Sequence, residues 1–115
     1  MDVDNLRHIC LKLPAVTEDI KWGNDLVFSV GGKMFCVASL EPPFTCSFKV
    51  PDEIFEELST TDGFMPAPYM ARSKWVLVNK GSKLNRKQWQ EYITDSYEMV
   101  KSKLTRKARK ELGID

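Results

Sequence analysis

Histidine is almost missing from this sequence, with His8 alone, and the three cysteines form no Cys-x-x-Cys pair and no Cys/His cluster. A structural zinc site draws four such ligands together from short spacings, so the pattern argues against one. No apolar run approaches the roughly 20 residues of a membrane-spanning helix. The first residues, Met1-Asp2-Val3-Asp4, are acidic and polar, whereas a secretion signal opens basic and then turns apolar. The expectation is a cytoplasmic protein that does not enter a membrane. Repeats and low-complexity tracts are absent as well. Gly31-Gly32-Lys33 lacks the GxxxxGK[ST] spacing of a phosphate-binding loop. His8 stands one helical turn from Asp4, but no nucleophile is in register with it. Asp52, Glu53, Glu56 and Glu57 read as a solvated helix face, because paired carboxylates do acid–base work only in a dry cleft. The sequence therefore points to no enzyme, no cofactor and no metal.

What is present belongs to a single globular domain spanning 1–115, with 43% hydrophobic and 29% charged residues. A monomer is expected. Cys10, Cys36 and Cys46 each sit among apolar neighbours and read as buried thiols. A Cys36–Cys46 disulfide has no support in the pattern. The net charge of +1 conceals a lopsided distribution. Residues 1–70 hold 5 Lys/Arg against 11 Asp/Glu, and residues 71–115 hold 12 against 5. Such a chain can offer a basic face to a polyanion, unless folding mixes the two halves.

Val3, Leu6, Ile9, Cys10 and Leu13 recur at helical spacing, with Asp2 or Asp4 as cap and Pro14 as stop. Residues 26–30 and 33–40 flank Gly31-Gly32, a two-residue loop suited to a type I′ turn. That turn would set Phe28 opposite Phe35 and Leu26 opposite Val37. One face would then carry Leu26, Phe28, Val30, Phe35 and Val37. The other would carry Val27, Ser29, Met34, Cys36 and Ala38. Residues 44–50 read as a third strand, and Pro51-Asp52 opens a short helix with Ile54, Phe55 and Leu58. Residues 66–71 and 74–79 read as two more strands. Asn85 and Gln88 form a capping box ahead of Trp89, Tyr92, Ile93, Tyr97, Val100 and Leu104. A basic tail begins at about residue 101. The order α-β-β-β-α-β-β-α suits an α+β fold of two layers, a five-stranded antiparallel sheet with helices on one face.

The stretch Gly63-Phe64-Met65-Pro66-Ala67-Pro68-Tyr69-Met70-Ala71-Arg72-Ser73-Lys74-Trp75-Val76 resembles the signature segment of the MmcQ/YjbR family. Lys21-Trp22-Gly23, Gly32-Lys33-Met34-Phe35 and Asp95-Ser96-Tyr97 extend the likeness in matching order. The resemblance implies a CyaY/frataxin-like fold, similar to type III secretion chaperones. It also implies a DNA-binding role through a "double wing" motif, without enzymatic activity or an obligatory cofactor. Frataxin-like iron binding would need an acidic ridge on the first helix, and only Asp2 and Asp4 stand there.

Two binding surfaces compete on residue chemistry. For nucleic acid, Arg72, Lys74, Lys80, Lys83, Arg86 and Lys87 are the cations placed to meet phosphates, with DNA as the partner. The last four precede or begin a helix whose positive end they oppose, a conflict that a bound phosphate would relieve. Trp22, Tyr69 and Trp75 are the aromatics for stacking or for lining a pocket; the plain alternative for Tyr69 and Trp75 is packing. The tail cations Lys101, Lys103, Arg106, Lys107, Arg109 and Lys110 suit a helix C-terminus without further explanation. The rival surface is the open sheet face around Ser29, Met34, Ser47 and Lys49 with Trp22. It would hold a protein or small ligand if it is apolar or concave. An accessory domain with neither role is the third reading.

Overall fold

The computed structural model describes residues 1–79 and 82–115. Lys80, named above as a candidate, lies outside the described residues. The elements run α1 (Val3–Leu11), β1 (Val16–Lys21), β2 (Asp25–Val30), β3 (Lys33–Ser39), β4 (Cys46–Lys49), α2 (Asp52–Ser59), β5 (Phe64–Pro66), a 3-10 turn (Ala71–Ser73), β6 (Trp75–Val78), α3 (Arg86–Ser102) and α4 (Arg106–Leu112). The fold is α+β, with one antiparallel sheet in the order β1-β2-β3-β4-β6-β5. Side chains of α1, α2 and α3 share one core with the sheet, so the helices cover a single face.

The sheet has six strands where the sequence reading has five. The extra one is β1, whose residues are mostly exposed and so show no apolar alternation. It is an edge strand, and Glu18, Asp19 and Lys21 mark it as the charged kind that resists further pairing. The opposite edge, β5, is three residues long and ends in Pro66, which has no N–H to offer. The segment expected as strand over 66–71 is mostly loop and 3-10 turn. The basic tail is ordered as α4, capped by Thr105 and fastened by Arg109, which donates to the Leu104 carbonyl and pairs with Asp115.

The turn between β2 and β3 forms as expected. Gly31 and Gly32 have φ of 58° and 78°, and Val30 lies opposite Lys33. A bulge then interrupts the ladder between Phe28 and Ser29, so Phe28 faces Cys36 and Leu26 faces Ala38. The expected pairs Phe28–Phe35 and Leu26–Val37 are therefore each displaced by one residue. Phe35 and Cys36 both enter the helix-side core, along with Ala38, while Val37 turns to the other face beside Val27.

The β3–β4 pairing ends at Cys36 and Phe48, and α3 serves the next two backbone groups. Ser96 Oγ donates to the Phe35 carbonyl at 2.6 Å and accepts from the Lys49 amide at 3.0 Å. One hydroxyl thus satisfies two backbone groups that would otherwise be orphaned. Its neighbour Tyr97 is buried, meets Phe35 edge-on, and donates its hydroxyl to the Pro14 carbonyl at 2.6 Å. The capping box of α3 is complete: Asn85 accepts from the Gln88 amide, and Gln88 accepts from the Asn85 amide. The large buried side chains Phe28, Phe35, Phe48 and Tyr97 contribute about 1.5–3 kcal/mol each by transfer from water. All three cysteines are free and buried, with Cys36 and Cys46 sulfurs 3.4 Å apart. Burial pushes the Cys36 thiol well above its usual range.

Candidate functional site

The face of the sheet away from the helices is not bare. After β5 the chain folds back across it. The Ala67 amide donates to the Trp75 carbonyl, and the Met70 amide to the Ala67 carbonyl. Ala67 and Trp75 pack with Val27 and Val37 into a small second core, flanked by Met34, Met70 and Leu77. Trp75 is 5% exposed in it, so packing is its role and stacking on a ligand is closed to it.

The folded-back segment covers only part of the face. Between it and the β1–β2 turn lies a hollow of about 590 Å³, within the roughly 300–1,000 Å³ common for small-ligand sites. Strand register explains its floor. Val37, Ser47 and Leu77 stand side by side on β3, β4 and β6. Met34 and Met70 add flexible apolar surface. Ser47 is only 7% exposed, and among the described residues its hydroxyl has no protein hydrogen-bond partner. At one end Asp25 and Ser39 face each other across β2 and β3, with Thr45 beyond. Asp25 is partly buried, and among the described residues no cation lies within salt-bridge distance of its carboxylate.

Two aromatics stand at the rim. Trp22, in the β1–β2 turn, is 68% exposed, and Tyr69, on the folded-back segment, is fully exposed. Both have left-handed backbones, with φ of 53° and 66°. Such a conformation costs a non-glycine residue about 1 kcal/mol or more. Neither ring recovers that cost by burial. Residues held in strained backbone cluster at ligand sites, and Trp and Tyr are enriched at interfaces.

Of the open-face residues expected from the sequence, Met34, Ser47 and Trp22 line the hollow. Lys49 turns aside to donate its amino group to the Ser73 carbonyl. Val37, Leu77 and Asp25 were missed. The displaced register after the bulge puts Val37 on this face, and nothing in the local pattern announces the bulge.

The candidate cations divide into two groups. Arg72 is exposed on the 3-10 turn, and Lys74 holds its amino group 5.1 Å from the Phe55 ring centroid. Both precede β6. Lys83 follows β6 in the loop before α3, and Arg86 and Lys87 open α3 in the helix layer. The strand between them spans about 10 Å. Arg86 donates to the Asn5 side chain on α1, and Lys83 and Lys87 are exposed. Among the described residues none of these five cations is in an ion pair. The carboxylates of α2 are exposed, and among the described residues no group of three or more His, Cys, Asp or Glu is placed to hold a metal.

A second concavity of about 470 Å³ lies between α1 and β1. Arg7 reaches into it to bind both carboxylate oxygens of Glu18, at 2.6 and 2.9 Å.

Comparison with known proteins places these features in context. A family model described as YjbR matches residues 11–99. A crystal structure of a protein from Pseudomonas syringae superposes with a TM-score of 0.73 at 19% identity, covering 87% of this chain and 99% of that one. A search of curated proteins gives no match.

Proposed function

This chain belongs to the YjbR family, and we propose that it is a binding module whose ligand seats in the hollow on the open sheet face. The observation that carries this reading is the concavity itself: an apolar floor under two exposed aromatics, with a carboxylate at one end. Convergent polar groups on an apolar hollow suit recognition of a small molecule or a small part of a larger one. The role in this reading is binding without chemistry. The test is a nuclear magnetic resonance titration with a library of small aromatic fragments. Amide signals of Trp22, Val37, Ser47 and Tyr69 should shift together. Shifts confined to other surfaces would remove the reading.

A nucleic-acid role is the second reading, favoured by cations that have no carboxylate partners among the described residues. Arg72, Lys83 and Lys87 are exposed and free to meet phosphates. Fluorescence anisotropy with labelled DNA should then show affinity falling steeply as salt rises. Lys83→Glu and Lys87→Glu should weaken every sequence about equally. Absence of binding at low salt would dismiss this role and leave the hollow untouched.

A further inference from the structure

We infer that the hollow takes a flat heteroaromatic ring bearing N–H donors on one edge, the chemistry of an amino-substituted nucleobase. This rests on the hollow being the binding site. The rim selects shape. Trp22 and Tyr69 offer broad π-faces, which reward a flat ring by stacking more than a flexible aliphatic chain. The floor of Val37, Leu77, Met34 and Met70 rewards apolar area without asking for polarity.

The end wall selects charge and donors. Among the described residues Asp25 is the one charged side chain lining the hollow, and it has no cationic partner there. A plain hydrocarbon ring would strip water from that carboxylate and return nothing. An anionic group would be repelled, so a phosphate or carboxylate stays outside. A ring with an amino edge donates to the carboxylate as bases do when read by acidic side chains. The unpartnered Ser47 hydroxyl in the floor can meet one further ring nitrogen. The volume leaves room for a sugar beside the ring. Two sources share this chemistry, a free nucleoside and an unstacked base of a single strand.

The probes are 9-methyladenine and 9-methylpurine, which differ only in the amino group, and a ten-residue deoxyadenosine oligonucleotide. Trp22 supplies the signal, because the other tryptophans, Trp75 and Trp89, are buried. Quenching of Trp22 by 9-methyladenine is expected at concentrations about tenfold lower than by 9-methylpurine, as one good donor contact implies. Asp25→Leu should erase that preference, and Tyr69→Ala, at a fully exposed position, should weaken both rings. Binding of the oligonucleotide that is stronger than that of 9-methyladenine and salt-dependent assigns the ligand to a strand; equal or weaker binding assigns it to a free nucleoside. Equal quenching by the two rings, unchanged in Asp25→Leu, overturns the ring assignment while the hollow stands as a site. No response to any of the three probes, with fragments also silent at the hollow, overturns both.

Discussion

Ser96 joins two strands just past the end of their pairing, donating to Phe35 on β3 and accepting from Lys49 on β4. Ser96→Ala removes the bridge without changing the helix, and leaves both backbone groups unpaired. We expect a loss of about 2–6 kcal/mol in urea denaturation, from two such groups at about 1–3 kcal/mol each. Gly63 is constrained differently. Its φ is 86°, and a Cβ there would lie 2.3 Å from the Ser82 Cα. Gly63→Ala therefore meets backbone as well as strain and should cost more than about 2 kcal/mol in the same assay. Tyr69 should behave in the opposite sense. Tyr69→Gly relieves the left-handed backbone and leaves stability unchanged or raised by up to about 1 kcal/mol, while ligand affinity falls. A residue kept for packing would show a loss of stability instead.

At the scale of elements, the sequence was most legible where local chemistry is complete. The Asn85–Gln88 box and the apolar stripe of α3 announce that helix, and Gly31-Gly32 announces its turn, because each signal lies within a few residues. The β1 strand was missed because an edge strand exposed on both faces carries no alternation. The bulge was missed because no local pattern marks it, and the hydroxyl that meets the Phe35 carbonyl beside it comes from 61 residues away. The same displacement hid the floor of the hollow, while Trp22, Met34 and Ser47 were legible as open-face residues. The β1 strand also depends on α1 through Arg7 and Glu18. The hydrogen bond from Arg7 chiefly holds the Glu18 carboxyl below its usual value of 4.5. A lowered folded value means the contribution is present above that ordinary value and is lost as pH falls through the lower one. Titration of the Glu18 side chain by nuclear magnetic resonance should show a midpoint below 4.5 that rises toward it in Arg7→Ala.

At the scale of the whole molecule, the sheet divides the protein into two unequal sides. The helix side holds the large core and the three buried thiols, whereas the other side holds a small core and the hollow. The candidate cations are distributed between the folded-back segment and the start of α3, at opposite ends of β6. The hollow brings an apolar floor, two exposed aromatics and a carboxylate into one concavity. Methyl signals of the methionines test this most directly, since Met34 and Met70 line the hollow and Met1 and Met99 do not. On titration with 9-methyladenine, the Met34 and Met70 methyls should move and saturate together while those of Met1 and Met99 stay in place. Saturable shifts at Met99 or Met1, with Met34 and Met70 unmoved, would contradict the account.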